Sequence, residues 1–456
     1  MRDCILILFG ALGDLAKKKI IPALYSLVHK EQLDNLHIIG TDLANISKHN
    51  MLKAAQELLP EIDEKTWHAF EQITHYQQLD INNLEDFKKL KEFIEVIEKK
   101  HNLSGNRLIY CATPSDLFST ITKQSHAARI ITCTSIEERP WQRIIYEKPF
   151  GRDYTSAKKL NKEIHNCLNE TQVYRVDHYL AKELIANITL LRFTNRMLEP
   201  QWNHHDIASV EIILDEEIGV AHRGNYYNQT GALRDVVQNH IFELLALVSM
   251  EPPTTITGSD LQEKRAEVLK NLSFDSGILG QYEGFRTIDG VKKDSMTETF
   301  AALKLFVNNE RWKGVPFYIR TGKCLQKTKK LIHLNFKPEH CRLIAGCPLP
   351  ANRLTIAIEP HAGFSLELNA KKPGYTTTVV PITMEFCHEC LFGVYTPQAY
   401  EVILLEVIDG DQGISVRFDE IEYSWKIIDE IYRKQLPLYF YKCGSNGPDE
   451  EFEGKI

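Results

Sequence analysis

Residues 4–9 form a continuous apolar run that stops at Gly10, the pattern of a central parallel strand covered on both faces. From residue 14 to 28, Leu15, Ile20, Leu24 and Leu27 recur at helical spacing with Lys17, Lys18 and Lys19 between them, and residues 36–40 make a second apolar strand. Strand, glycine turn, helix and strand constitute a βαβ unit. The alternation continues with an amphipathic helix over 84–98, a strand over 107–112, a helix over 117–125, and strands over 129–133 and 144–147. It predicts an α/β, Rossmann-like domain with a doubly wound parallel sheet over residues 1–175.

The pattern then changes. Helical periodicity over 180–191 and 232–250 is followed by strand-like segments at 299–307, 316–320, 331–336, 354–359 and 376–386, with an earlier one at 208–214. Strands that follow strands predict an α+β domain over residues 176–456, with a large, mainly antiparallel sheet. Neither an internal repeat nor a linker-like stretch marks the boundary.

Composition narrows the function classes. The 456 residues are 43% hydrophobic and 25% charged, ordinary globular proportions that exclude a disordered chain. A net charge of −7 argues against a generic nucleic-acid binder. No apolar run approaches the roughly 18 residues of a membrane span, and the first segment reads as a buried strand rather than a signal peptide. A cytoplasmic protein with reduced thiols is the expectation for its ten cysteines. Cys387-His-Glu-Cys390 has no second pair at metal spacing, so it reads as structural thiols and no metal site is expected.

Five segments carry chemistry. Gly10-Ala-Leu-Gly13-Asp14-Leu15-Ala-Lys17 lies where a strand ends and a helix begins, where small residues admit a pyrophosphate to free N–H groups. A tight βα turn is the bland alternative. Asp42, at the end of the second strand, suits ribose hydroxyls and favours NAD over NADP. Glu147-Lys148-Pro-Phe-Gly151 closes another strand, aiming Lys148 at the ligand crevice or, alternatively, placing it beside an ordinary turn. In Arg175-Val-Asp177-His178-Tyr179-Leu-Ala-Lys182-Glu183, a helix capped by Asp177 would set His178 and Lys182 on one face, a pocket for a phosphate monoester. A salt-bridge ladder with Glu183 is the alternative there. His240 lies among apolar residues in Gly231-Ala-Leu-Arg-Asp235-Val-Val-Gln-Asn-His240; such a histidine is commonly a core residue, and it needs a carboxylate, with Asp177 a candidate, to act as a base.

Together these segments, with Thr297-Glu-Thr-Phe300, Gly314-Val-Pro-Phe-Tyr-Ile-Arg-Thr-Gly-Lys323 and Arg417-Phe-Asp-Glu420, resemble the glucose-6-phosphate dehydrogenase family over essentially the whole chain. The resemblance implies oxidation of β-D-glucose 6-phosphate at C1 to 6-phosphoglucono-1,5-lactone with hydride transfer to NADP or NAD, the first step of the oxidative pentose phosphate pathway. It implies His240 as base and Asp177 as its partner, with His178, Tyr179 and Lys182 on the substrate phosphate. Lys148, Glu216, Asp235 and Lys323 would orient the sugar; Gly10, Gly13, Asp14, Leu15, Lys17, Asp42 and Lys148 would bind the cofactor. A cytoplasmic homodimer or homotetramer, built through the second sheet and without nucleic-acid or membrane partners, completes the expectation.

The chain departs from the family pattern at four positions. Leu43 replaces the Arg that binds the 2′-phosphate, with Lys48 a partial substitute, and Leu12 stands in the glycine loop where its bulk would crowd a pyrophosphate. Ala181 replaces a Gly, and Thr328 a basic residue beside Lys327. The rival readings are another sugar dehydrogenase of the glucose–fructose oxidoreductase type and a non-catalytic regulatory paralogue.

Overall fold

The computed structural model describes residues 2–449 except 34, 60, 136–137, 256–257, 339–348, 376–377 and 394–397. It divides into two compact units. The first extends past the expected boundary at Arg175: it comprises Met1–Lys182 with two later returns of the chain, Thr255–Gln262 and Pro397–Glu422. The second comprises Glu183–Thr254, Glu263–Thr396 and Tyr423–Ile456.

Among the described residues the first unit holds a six-stranded parallel sheet: β1 (Asp3–Phe9), β2 (Asn35–Asp42), β3 (Thr74–Gln78), β4 (Arg107–Cys111), β5 (Gln142–Glu147) and β6 (Val173–Val176), in the order β3-β2-β1-β4-β5-β6. All seven residues of β1 are buried because both faces are covered. Cys4, Leu6 and Leu8 enter one core cluster, while Ile5, Ile7 and Phe9 enter the other, the period of two that a strand imposes. The later return supplies the helix Ala399–Asp409, whose Ile403, Leu404, Val407 and Ile408 join the first cluster. Arg143 closes that helix by donating from Nη1 to the carbonyls of Val407 and Ile408, at 2.6 and 2.7 Å.

One expected strand is absent. Residues 129–133 form turn and coil, although Ile130 and Ile131 are buried as their hydrophobicity demands. Arg129 has a φ of 58°, and the N–H groups of Ile130 and Ile131 return to the carbonyl of Ser125, ending a helix instead of joining a sheet.

The second unit carries a nine-stranded, mixed but mainly antiparallel sheet among its described residues. Its strands are β7 (Ile207–Asp215), β8 (Leu272–Tyr282), β9 (Phe300–Val307), β10 (Pro316–Gly322), β11 (Lys329–Phe336), β12 (Arg353–Glu359), β13 (Gly363–Lys371), β14 (Val379–Cys387) and β15 (Leu438–Tyr441). Their order is β14-β13-β12-β11-β7-β10-β9-β8-β15. β7 pairs with β10 and β8 with β15 in parallel; the remaining pairs are antiparallel.

The expectation of reduced thiols fails for four cysteines. Cys324 is joined to Cys443 and Cys387 to Cys390, with Cα atoms 4.9 and 5.2 Å apart, within disulfide range. Cys4, Cys111 and Cys167 are buried and free, Cys133 is exposed and free, and Cys341 and Cys347 lie outside the described residues.

A histidine cluster on the first sheet makes its stability depend on pH. His37 of β2 is buried, its ring stacked on His75 of β3 and 4.1 Å from the ring of His101, while Phe93 meets His75 edge-on. Burial, with His101 and Lys100 near both rings, His75 beside His37 and Lys48 near His75, pushes both His37 and His75 down to about 4. Unfolded, these imidazoles take up protons near pH 6.5. Between pH 4 and 6.5 the unfolded chain therefore binds more protons, and stability falls as pH drops through that window. Urea unfolding from pH 7 to 4.5 is expected to lose about 2 kcal/mol to this pair, with roughly half that slope removed by His37→Gln. An unchanged slope in the variant would disprove the linkage.

Candidate active site

The first unit places the glycine turn at the carboxyl end of β1, beside β4, where the sheet's connections diverge to either side. Gly10 has a φ of +77°, and a Cβ there would stand 2.7 Å from the carbonyl oxygen of Ala112 and 3.0 Å from Cγ2 of Thr113. Only glycine fits. The turn is fixed from the next strand, since the N–H groups of Gly10 and Ala11 both donate to the carbonyl of Thr41. It opens a cavity of about 400 Å³ lined by Gly10, Gly13, Asp42, Leu43, Asp80 and Thr113, among others.

This cavity suits a dinucleotide on three counts. Backbone can approach it at Gly10, Thr113 offers a buried Oγ1 with no partner, and Asp42 has its carboxylate at the rim. That carboxylate also accepts the N–H of Leu12 at 3.2 Å and of Leu43 at 2.8 Å, tying the glycine turn to the end of β2. No Lys, Arg or His lines the cavity among the described residues. Lys48, a possible substitute for the missing Arg, instead donates to the carbonyl of Glu71 at 2.8 Å. Leu12, partly buried, packs on the core cluster. Leu15 packs there too, Asp14 is exposed and paired with Lys18, and Lys17 follows on the first helical turn.

At the carboxyl end of β5, the Lys148–Pro149 bond is cis and Glu147 is buried. Burial pushes its carboxyl up to about 7, with Asp177 adding to the rise, while a 2.6 Å bond from the Tyr110 hydroxyl and the charge of Lys148 oppose it. Tyr400, from the late return, is also pushed up by burial and by the charges of Glu147 and Asp177. The sequence reading assigned no role to Tyr110, Glu147 or Tyr400.

Asp177 follows β6 and is 3% exposed. The expected helix does not begin there. Residues 178–182 form turns and the helix starts at Glu183, because the Asp177 side chain accepts the N–H of Tyr179 and its carbonyl that of Leu180, curling the chain first. The turn still gathers the three phosphate candidates: the rings of His178 and Tyr179 are 5.0 Å apart, and Lys182 Nζ lies 4.4 Å from the centre of the Tyr179 ring. Ala181 is buried in the core cluster.

The second unit assembles the other candidates. Glu216, just past β7, pairs with Lys323, just past β10; the parallel pairing of these strands brings their ends together. The Glu216 N–H donates to the carbonyl of Gly322, and Thr328 accepts the neighbouring Glu217 N–H through its hydroxyl. Lys323 Nζ also faces the ring of Tyr227 at 5.7 Å. Asp235 and His240 lie on Leu233–Ile241, a π-wound helix of the kind that recurs at functional sites. They are 7% and 3% exposed, and the Tyr226 hydroxyl donates to Asp235 at 3.2 Å. Tyr226 and Tyr227 carry no motif and were missed. Asp177 and His240 belong to different units.

Two family models match the chain: the NAD binding domain of glucose-6-phosphate dehydrogenase over residues 7–187 and its C-terminal domain over 189–453. The chain is 38% identical over 478 residues to a glucose-6-phosphate 1-dehydrogenase of Chlamydia pneumoniae, covering 98% of this chain and 93% of that one. A cytoplasmic form from Arabidopsis thaliana is 36% identical, covering 98% and 89%. A solved glucose-6-phosphate dehydrogenase in complex with glucose 6-phosphate superposes with a TM-score of 0.91 at 30% identity, covering 98% of this chain and 96% of that one. Levoglucosan dehydrogenase, at 10% identity and a TM-score of 0.54, shares the fold alone. The chain belongs to the glucose-6-phosphate dehydrogenase family.

Proposed function

We propose that this protein oxidises β-D-glucose 6-phosphate at C1 to 6-phosphoglucono-1,5-lactone, using NAD or NADP. The observation that carries the reading is that a chain matching the family over both units keeps a buried histidine, a buried carboxylate and a cation-bearing turn at the family's motifs. His240 takes the proton of the C1 hydroxyl, and Asp177 stabilises the imidazolium that forms. The bound nicotinamide supplies the hydride acceptor. His178, Tyr179 and Lys182 grip the substrate phosphate, a charge-assisted contact that anchors the sugar. Glu216, Asp235, Lys323 and Lys148 accept from and donate to its hydroxyls, fixing C1 for the reaction.

The glycine turn would hold the cofactor, and Asp42 would accept hydrogen bonds from its adenosine ribose. Two carboxylates, Asp42 and Asp80, and no cation among the described lining residues favour NAD over NADP. A cytoplasmic location accords with the cytoplasmic relative, and for a homodimer or homotetramer β14 leaves Ile382 and Met384, 45% and 60% exposed, for a second copy to cover. Among the described residues no helix is long and apolar enough to cross a membrane.

Three measurements test the reading. His240→Asn is expected to lower kcat by about 10²–10⁴-fold while leaving KM for glucose 6-phosphate within a few fold; normal turnover would remove the base. Lys182→Ala is expected to raise KM for glucose 6-phosphate by about tenfold to a hundredfold, the range for one lost charge-assisted hydrogen bond, and to leave turnover of free glucose unchanged. Equal losses on both substrates would discredit the phosphate grip. The unaltered enzyme is expected to use NAD at least as well as NADP, and Leu43→Arg to move the ratio of kcat/KM toward NADP by about tenfold. A strong starting preference for NADP would contradict the reading of the cavity.

A further inference from the structure

The helix bearing Asp235 and His240 begins abruptly. Gly231, with φ 66° and ψ 179°, breaks the path between Gly224–Ala232 and Leu233–Ile241, and the residue preceding the second helix provides no side-chain cap. The first N–H groups of that helix are met from elsewhere in the unit. The carbonyl of Glu298 accepts the Ala232 N–H at 3.0 Å, and its Oε1 accepts the Leu233 N–H at 3.1 Å. Glu298 is 4% exposed, and Oε1 also accepts the Tyr432 hydroxyl at 3.0 Å, with the Arg234 guanidinium stacked 4.5 Å from the Tyr432 ring. Burial pushes this carboxyl up, and the donors with Arg234 pull against that.

The fit leaves no slack. A Cβ on Gly231 would stand 2.4 Å from Glu298 Oε1, so the glycine is needed for the carboxyl to reach the helix end. The flanking residues pin neighbouring parts of the same half-site. Thr297 Oγ1 donates to the carbonyl of Asn228, on the helix that carries Tyr226 and Tyr227, and the carbonyl of Thr299 accepts the N–H of Lys323 at 2.9 Å.

We propose that Glu298 is a positioning residue: its carboxyl caps the Leu233–Ile241 helix and fixes the register in which Asp235 and His240 are presented. A carboxyl at a helix N-terminus both satisfies an orphan N–H and complements the helix dipole. Glu298 touches no reacting atom; it acts through the helix. This inference rests on the reading of His240 as the base and Asp235 as a sugar contact.

The test compares Glu298→Ala with Glu298→Gln, which keeps an acceptor oxygen for the Leu233 N–H, in the full-length enzyme with glucose 6-phosphate and its preferred nicotinamide cofactor. Glu298→Ala is expected to lower kcat about 10-fold to 100-fold, to raise KM several-fold, and to shift the acid limb of the kcat pH profile. Glu298→Gln is expected to restore kcat to within about threefold of the starting enzyme. Hydrogen exchange at 232–236 is expected to quicken at least tenfold in Glu298→Ala, with the Leu84–His101 helix unchanged. Equal losses in both variants, a loss with an unmoved pH profile, or quicker exchange throughout the chain would overturn the proposal in favour of general stability. Should Glu298→Ala fail to fold, Tyr432→Phe, which removes one donor to Oε1, is expected to give the same shifts in smaller measure, and wild-type behaviour there would overturn it. Normal turnover in His240→Asn is a separate outcome. It would sink the base assignment while the exchange result still judged the cap.

Discussion

A carboxylate removed from water must be met by donors or give up its charge, and that demand organises the polar half of both units. Glu147 is met by the Tyr110 hydroxyl, Asp235 by Tyr226, Glu298 by Tyr432 and the Leu233 N–H, and Asp215 by Arg320. Tyrosines do most of this work, and they suit it: the ring fills the core while the hydroxyl supplies one donor at its rim. Each tyrosine pairing holds an acid in place without cancelling its charge by a second ion, whereas Asp215 is held by an ion pair with Arg320 at 2.9 Å. Glu147 marks the limit. With one hydroxyl donor against full burial, its carboxyl rises to about 7, close to neutrality.

The second consequence concerns the helix that presents His240. It runs on from Ile241 into Phe242–Ser249, so a movement at either end would reach the imidazole. The far end is held as firmly as the near one. Arg192 donates to the carbonyls of Val248 and Met250, Trp202 to Val248 and Trp312 to Ser249, so side chains occupy carbonyls that the helix itself cannot. All three donors are buried, and the tryptophans are among the largest buried side chains. A histidine on a helix pinned at both ends has little freedom to drift, as the general-base role proposed for His240 requires.

How much of this was legible in the sequence follows from how local each cause is. β1, the glycine turn and the helix after it are consecutive, so hydropathy and two glycines suffice to read them. The division of the units is not local: the return that brings Ala399–Asp409 into the first core is sealed by Arg143, more than 250 residues earlier, and no periodicity reports that. The segment after β6 misled for a related reason. Asp177 reads as a helix cap, but its side chain accepts from Tyr179 and closes a turn instead, and the helix starts only at Glu183. Residues 129–133 misled because burial of two isoleucines looks the same in a strand and in a helix stop. Tyr226, Tyr227 and Tyr110 escaped because a tyrosine in a core carries no motif until its partner acid is known.

The cofactor end illustrates a different kind of legibility, in which the backbone rather than the side chain is the recognising group. Gly10 matters for the atom it lacks: Ala112 occupies the space where a Cβ would go. The turn is then held by the carbonyl of Thr41 and the carboxylate of Asp42, both from the end of β2. Because β2 supplies these anchors, the same strand end that shapes the turn also carries the acid proposed to meet the ribose. Leu12 leaves these anchors in place, its side chain packing on the core. A change at Asp42 differs in kind. It would release the N–H groups of Leu12 and Leu43, so under the proposed ribose role the discrimination between cofactors and the shape of the turn cannot be tuned separately at that residue, whereas the side chain of Leu43 beside it is exposed.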